Sequence, residues 1–146
     1  MGSAEHGPAS DADAATLAEL LGQATRALRR RWAHGLGPLE LSPHQARALR
    51  VIANGGAQRL SAIAQALRIA PRSATEVVDA LEELALVERA PDPDDRRAVL
   101  VRETPEGQRV RAEVDVARAA DAEEFFSRLG DSDRNELARL LRALVG

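Results

Sequence analysis

Two groups of polar side chains in the middle of the chain offer hydrogen-bonding chemistry. Arg72 leads one group, which continues with Ser73 and Thr75, and the second group is the pair Arg96 and Arg97. A guanidinium group presents a planar set of donors that can bind a phosphate, or the edge of a guanine, through two hydrogen bonds at once. Hydroxyl groups can bond phosphates or bases. We therefore expect these five residues to contact double-stranded DNA.

The spacing of apolar residues predicts two helices that would position the first group. In the first helix the apolar residues recur at three- and four-residue intervals: Leu60, Ile63, Ala64 and Leu67. Ser61 is placed to cap this helix, and Pro71 suits the first position of the second helix. A short helix, a tight turn and a longer helix predict a helix-turn-helix. The exposed side of the second helix carries the residues that would enter a major groove: Arg72, Ser73, Thr75 and Glu76.

A predicted β-hairpin would position the second group. Aliphatic runs at 86–89 and 97–102 favour two strands, and the proline- and aspartate-rich segment 91–95 favours a turn between them. Arg96 and Arg97 stand just past this turn. A hairpin directly after a helix-turn-helix is a wing, and Arg97, with Arg96 beside it, would lie in or over the flanking minor groove.

The same segment resembles the winged helix-turn-helix of the MarR family of bacterial transcriptional regulators. The family's wing signature is matched by Asp95-Arg96-Arg97, by the aliphatic residues 98–101 and by the run Thr104-Pro105-Glu106-Gly107. Residues 86–89 (Leu-Val-Glu-Arg) also match, and the similarity extends from about residue 14 to the end of the chain. The resemblance implies that Asp95 holds the wing arginine, and that two copies form a two-fold dimer through their terminal helices.

Some positions depart from the family's pattern. Arg68 and Ala85 stand where glycine is common, Ala70 replaces a usual serine cap, and Glu103 stands where leucine is frequent. Glu76 occupies a position that is often basic. Its carboxylate would repel phosphate, or it would accept a hydrogen bond from cytosine N4 and so shape specificity. We expect these changes to affect the target sequence more than the fold.

The whole chain is predicted to be mainly α-helical with a small β wing. Residues 1–12 are small and polar and predict a flexible tail, and residues 13–146 predict a single domain with its winged helix-turn-helix at about 42–103. The helical regions at about 14–34 and 104–146 hold apolar faces that the winged part, with its own core, does not need. These spare faces predict a dimerisation region that packs against a second copy.

Trp32, His34 and His44 are candidates for an effector pocket between the dimer helices and the winged domain. Plain packing of Trp32 is the simpler alternative. Two histidines without cysteine, and without the spacing of ligands on one helix, do not predict a metal site. The run 29–31, three consecutive arginines, could bind DNA or a ligand, or could be a solvated helix end favoured by the helix dipole.

Composition narrows the range of functions. The formal net charge of −3, from 20 basic and 23 acidic residues, argues mildly against binding to nucleic acid. Any DNA binding must therefore depend on where individual arginines are placed. The absence of cysteine excludes disulfides and thiol sensing. No apolar run could span a bilayer and no secretory signal is recognisable, so we expect a soluble cytoplasmic protein. No catalytic motif predicts an enzyme, and none predicts a cofactor or a bound metal.

The leading hypothesis is therefore a sequence-specific, double-stranded DNA-binding transcriptional regulator. It would act as a homodimer on a palindromic operator, as a repressor that releases DNA when a small-molecule effector binds. The acidic net charge leaves a second hypothesis open, a winged-helix module that binds another protein and has no role on DNA. Retention on random duplex that falls as salt rises would separate the two hypotheses.

Overall fold

A computed structural model describes residues 13–146, so the expected flexible tail at 1–12 lies outside the described residues. The elements follow one another in this order: α1 Ala14–Gly35, a short 3-10 turn Gly37–Leu39, α2 Pro43–Gly55, β1 Gln58–Arg59, α3 Leu60–Leu67, α4 Pro71–Glu83, β2 Val87–Asp92, β3 Asp95–Glu103, α5 Pro105–Phe126 and α6 Asp131–Val145. The expected fold, mainly α-helical with a small β wing, is confirmed.

Local polar side chains set the start of three helices. Asp13 Oδ1 accepts a hydrogen bond from the amide of Thr16 at 2.7 Å at the start of α1. Ser42 and Gln45 form a reciprocal capping box at the start of α2, and Thr104 caps α5. These bonds join residues three positions apart, so the sequence predicts them directly.

The three strands form one antiparallel sheet in the order β1-β3-β2. Gln58 of β1 lies opposite Val101, and Arg59 lies opposite Leu100. Because Arg59 is held extended in the sheet, α3 begins directly after it and Arg59 is the N-cap residue. Ser61 therefore lies exposed within the first turn of α3 and does not cap the helix, in contrast to the sequence-based expectation.

Other boundaries also differ from those expected. α5 ends at Phe126, and Gly130 is the N-cap of α6, so the expected helical region 104–146 is divided into two helices. The two long strands reach further toward the tip of the wing, with Asp92 paired to Asp95 and only residues 93–94 forming the turn. Element ends depend on sheet pairing and packing, which the local pattern does not contain.

The core belongs to the winged part of the chain and to the first half of α5. Its largest fully buried side chains come from α2, α3, α4, the two long strands and the residue that follows α1: Leu49, Ile52, Ile63, Val78, Leu81, Val87, Val101 and Leu36. Val110 and Val114 of α5 complete the core. Neither α1 nor α6 contains a buried residue. The winged part is thus stabilised by its own apolar burial, at roughly 1.5–3 kcal/mol for each large side chain.

The Thr-Pro-x-Gly run joins the core to α5. Thr104 Oγ1 donates to the carbonyl oxygen of Ala85 at 2.6 Å and accepts from the amide of Gly107 at 3.0 Å. A Cβ atom at Gly107 would overlap the backbone oxygen of Leu86. Residue 107 must therefore be glycine for α5 to approach the start of β2 this closely.

Candidate nucleic-acid interface

The polar side of α4 is a free surface. Ser73 and Thr75 are exposed, and the side chain of Arg72 is 92% exposed. On the opposite side, Ala74 and Val78 are fully buried. This burial sets the rotation of α4 about its axis, so the candidate recognition residues face solvent.

The first turn of α4 has only weak internal contacts. Arg72 Nε lies 3.5 Å from Glu76 Oε1, and Thr75 Oγ1 donates to the carbonyl oxygen of Pro71 at 3.2 Å. Ala70 is the N-cap and offers no side-chain hydrogen bond, which leaves the first amides of α4 available to a phosphate. An exposed ion pair stabilises by roughly 1 kcal/mol or less, so Arg72 can exchange Glu76 for a base or phosphate.

A buried carboxylate organises the tip of the wing. Asp92 is 9% exposed; its Oδ1 accepts from the amide of Asp94 at 2.9 Å and its Oδ2 from Arg59 Nη2 at 3.0 Å. The backbone hydrogen bond and then the guanidinium of Arg59 hold the pKa of Asp92 below its ordinary value. Asp95 Oδ2 lies 3.6 Å from the same guanidinium. Arg59 therefore fastens the wing tip to β1 and does not present a free charge.

Asp95 holds the backbone of the wing arginine. Its Oδ1 accepts from the amide of Arg97 at 3.0 Å, while its other oxygen faces Arg59. Arg96 and Arg97 are exposed, and within residues 13–146 neither guanidinium has a carboxylate oxygen within 4.0 Å. The pairing of β3 with β2 is irregular here, since Pro91 lies opposite Val99 but Asp92 lies opposite Asp95, so the two arginines lie in a bulge near the tip of the wing.

Arg89 of β2 ties the wing to α4. Its guanidinium binds Asp79 at 2.6 Å and Glu82 at 2.9 Å, and its amide donates to the Glu82 carboxylate at 3.3 Å. Burial by itself would lower the pKa of Arg89, but the two carboxylates outweigh it and raise the pKa. These contacts join the wing to the second half of α4.

Sequence reasoning missed Arg59, Asp92 and Arg89 as organisers of this interface. In the sequence Asp92 is one of several turn residues, and Glu82 is one of a series of surface acids. The partner of Arg59 lies 33 positions away, and those of Arg89 lie 7 and 10 positions away. No short motif contains pairs at these separations, so only the packed structure shows them.

The structure does not bring Trp32, His34 and His44 into one pocket. Trp32 lines a crevice of about 730 Å³ between α1, α2 and α5. His44 lines a separate cavity of about 390 Å³ beside α4, and His34 lies exposed near the end of α1 and lines neither. Among residues 13–146, no three histidine or acidic side chains are grouped as a metal would require.

Apolar side chains are exposed on both terminal helices. They occupy α1 and α6: Leu17, Leu20, Leu21, Leu140, Leu144 and Val145. Leu144 is 76% exposed. Exposed large apolar side chains concentrated on two helices are typical of an interface with another protein. In the described part of the chain, no helix is long and apolar enough to span a membrane.

A helix-turn-helix with a polar second helix, followed by a wing that presents arginines, defines a double-stranded DNA-binding protein. The model of the MarR family matches residues 41–99. An uncharacterized HTH-type transcriptional regulator of Mycobacterium bovis is 35% identical in an alignment 142 positions long that covers 92% of this chain and 96% of that protein. The chain belongs to the MarR family of transcriptional regulators.

Further comparisons agree with this assignment. A regulatory protein named for the hcr operon of Thauera aromatica is 36% identical over 96 residues, and the match spans 66% of this chain but only 58% of that protein. Wild-type MarR from E. coli, in its apo form, has the same fold at a TM-score of 0.82 and 23% identity, over 89% of this chain and 96% of that chain. The relatives are named as transcriptional regulators, so neither an enzyme nor a winged-helix module without DNA binding is favoured.

Proposed function

We propose that this chain is a homodimeric repressor that binds a palindromic operator in the cytoplasm and releases it when a small-molecule effector binds. Residues 13–146 act as one domain in this proposal, with the winged helix-turn-helix at about 42–103 and dimerisation through 14–34 and 104–146. The observation that carries it is the set of exposed arginines, Arg72 on α4 and Arg96 and Arg97 on the wing, mounted on a rigid core.

On DNA, α4 would enter the major groove with its exposed first turn. Arg72 would bind guanine O6 and N7, which discriminates against other bases by roughly 1–3 kcal/mol. Ser73 and Thr75 would bond phosphates or bases, and Glu76 would accept from cytosine N4. At the N-terminal turn of α3, Ser61 would contact a phosphate.

The wing would reach the neighbouring minor groove. Arg97 is held at its backbone by Asp95, which leaves its guanidinium free to enter the groove, while Arg96 beside it would contact the phosphates. A narrow A·T-rich groove favours an inserted arginine through its negative potential.

Two copies related by a two-fold axis would present their α4 helices about 34 Å apart, one turn of DNA. The apolar faces of α1 and α6 support this arrangement because a single copy leaves them exposed. A structure of mutant MarR from E. coli complexed with operator DNA, which matches this chain at a TM-score of 0.69, supports the same use of the fold.

The crevice that Trp32 lines is the proposed effector site, because it lies where α1 and α5 meet the winged part. Its volume of about 730 Å³ suits a small organic molecule. An effector releases DNA only if it binds the two arrangements of the α4 helices differently. It must bind more weakly to the arrangement that fits DNA than to the arrangement that does not.

We expect Arg97→Ala to lower affinity for the cognate duplex by more than about tenfold. The change removes the minor-groove contact and one positive charge close to the DNA phosphates. The duplex would be obtained by selection from random sequence, and affinity measured by fluorescence anisotropy at moderate salt. Arg128→Ala removes the same charge at an exposed position after α5 and should change the affinity little.

Equal affinity for the wild type and for Arg97→Ala would contradict the role of the wing. Binding by the wild type should also weaken steeply as salt rises, since several phosphates are contacted in each half-site. A chain that binds neither selected nor random duplex at low salt would contradict the proposed function altogether.

A further inference from the structure

The first half of the winged part is a long stretch of sequence without negative charge. Between residues 41 and 75 the chain has five arginines and no aspartate or glutamate, although the whole protein has 23 acidic residues. The stretch contains α2, β1, α3 and the first turn of α4. A surface that approaches DNA phosphates favours positive charge and excludes carboxylates, because like charges repel. The arginines of this acid-free stretch are therefore candidates for phosphate contacts.

Most of these arginines already have a carboxylate partner. Three of the five are paired with acidic residues from outside the stretch: Arg50, Arg59 and Arg72. For Arg47 and Arg68, no carboxylate oxygen within residues 13–146 lies within 4.0 Å. Arg47 lies on α2, whereas Arg68 is exposed in the turn between α3 and α4. Arg68 is thus the one of these two that lies next to the recognition helix in the chain.

Arg68 has a strained backbone conformation. Its φ and ψ are 55° and 46°, in the left-handed region that glycine adopts readily and other residues do not. Two backbone hydrogen bonds of 3.1 Å fix this turn, from the amide of Arg68 to the carbonyl oxygen of Gln65 and from the amide of Ile69 to that of Ala64. Glycine would fit the turn without strain, and an exposed side chain adds little packing. Residues held in such conformations are found preferentially at functional sites.

The turn lies where the chain must approach the DNA backbone. Pro71, the first residue of α4, is three positions after Arg68, so their Cα atoms are at most about 11 Å apart. The major groove is about 12 Å wide and a helix with its side chains is about 10–12 Å across, so an inserted α4 fills the space between two phosphate strands. The segment that leads into α4 must therefore cross one of these strands, and Arg68 belongs to that segment.

The neighbours of Arg68 leave this approach open. The exposed residues of α3 before the turn are small or uncharged: Ser61, Ala62, Gln65 and Ala66. The acidic residue closest to Arg68 in the sequence is Glu76, and the guanidinium of Arg72 lies 3.5 Å from its carboxylate. A phosphate beside Arg68 thus meets no carboxylate from α3 or from the turn.

We propose that Arg68 binds a backbone phosphate at the edge of the major groove that α4 enters. This inference rests on the proposed binding of DNA by α4, and it assigns a further contact to a residue outside the recognition helix and the wing. The guanidinium forms charge-assisted hydrogen bonds with the phosphate oxygens. Phosphates carry no sequence information, so Arg68 adds affinity for every duplex and does not select the operator.

The first experiment compares the full-length wild type with Arg68→Gly. Glycine relieves the strain of the turn, so the melting temperature should rise while the guanidinium is lost. We expect affinity for the selected duplex to fall by about tenfold or more, and affinity for a random duplex to fall by a similar factor. The slope of log affinity against log salt should become shallower by roughly one for each half-site. Fluorescence anisotropy over a salt series measures both quantities.

Two further variants separate the charge of Arg68 from its backbone. Arg68→Lys keeps a positive charge in the same turn and should retain most of the affinity and of the salt slope. Ala85→Gly is the matched control, because it relieves strain after α4, where φ is 60°, without removing a charge. It should raise the melting temperature and leave the affinity for both duplexes unchanged. Arg68→Asn, which tolerates a left-handed φ, replaces Arg68→Gly if the glycine variant does not fold.

Several results would overturn the phosphate contact. Undiminished affinity and an unchanged salt slope in Arg68→Gly would show that the guanidinium does not touch DNA. Equal losses in Arg68→Lys and Arg68→Gly would show that the charge has no role, and a loss confined to the selected duplex would show that Arg68 contacts a base. A wild type that binds neither duplex contradicts the proposed function and this contact together, whereas the other three results overturn only the contact.

Discussion

Within residues 13–146, three residues with side chains have φ values in the left-handed region that suits glycine: Glu40, Arg68 and Ala85. Arg68, after α3, and Ala85, after α4, have φ values of 55° and 60°, in the left-handed region. Both are positions where the MarR family commonly has glycine, and the structure supplies the reason, since a Cβ atom is strained at such φ values by roughly 1–3 kcal/mol. Backbone hydrogen bonds hold both turns: the amide of Ile69 donates to the carbonyl oxygen of Ala64, and the amide of Leu86 donates to that of Leu81.

A third departure from the family's pattern also has a structural reason. Glu103 forms two hydrogen bonds with Arg111 of α5, at 2.8 and 3.3 Å, at a partly buried position. A charged pair thus occupies a place where the family often has an apolar side chain. The change at residue 103 is local and leaves the junction between β3 and α5 intact.

At the residue scale we expect Ala85→Gly to raise the free energy of unfolding by about 1 kcal/mol, because glycine adopts this φ without strain. The side chain of Ala85 is exposed, so little packing is lost. Urea denaturation measures the change. Ala66→Gly, at an exposed position inside α3, is the matched control and should lower the free energy of unfolding by about 1 kcal/mol. Destabilisation by both variants would show that Ala85 is not strained.

At the scale of elements, the wing depends on an ion pair between distant parts of the chain. Arg59 adjoins α3, and Asp92 ends β2, so their contact fastens the hairpin to the helix-turn-helix. The sequence predicts that a hairpin exists, because its turn residues and aliphatic runs are adjacent. It does not predict the angle of the hairpin, which this pair and the contacts of Arg89 set.

The wing should respond to acid through Asp92. Because the pKa of Asp92 lies below its ordinary value of 3.8 in the folded protein, its charge stabilises the fold above that value, and this stabilisation is lost as pH falls through the folded pKa. Asp92→Asn should therefore lower the free energy of unfolding at neutral pH and have progressively less effect in acid. Denaturation over a pH series measures both.

Asp94→Asn is the matched control at the wing tip. Asp94 is exposed and donates only its backbone amide to Asp92, so its replacement should change stability little at any pH. An equal loss of stability in the two variants, or a loss in Asp92→Asn that does not change with pH, would contradict the role of the buried carboxylate.

At the scale of the whole molecule, the core and the terminal helices have different roles. The winged part buries its own apolar residues, whereas α1 and α6 bury none and expose leucine at many positions. A single copy therefore leaves apolar surface that a second copy would cover. The net charge of −3 does not oppose DNA binding in such an assembly, because the arginines at the wing and at α4 act locally.

We expect Leu144→Glu to convert the dimer into monomers and to weaken operator binding, since it places a charge at the proposed interface. Leu144 is 76% exposed in a single copy, so the fold itself should survive, as circular dichroism would report. Light scattering measures the oligomeric state. Val99→Glu makes the same change at a 44% exposed position of the wing and should remain dimeric. A dimer that persists in Leu144→Glu would place the interface elsewhere.

The sequence by itself determined the order of the elements, the starts of α1, α2 and α5, and the identity of the exposed residues on α4 and the wing. Those features rest on interactions between residues three or four positions apart, such as the cap of Thr16 by Asp13. Only the tertiary structure decided that Arg59 binds Asp92 and that Trp32 and His44 lie in different cavities. Such contacts depend on how whole elements pack, and a local pattern holds no information about the distance between residues far apart in the chain.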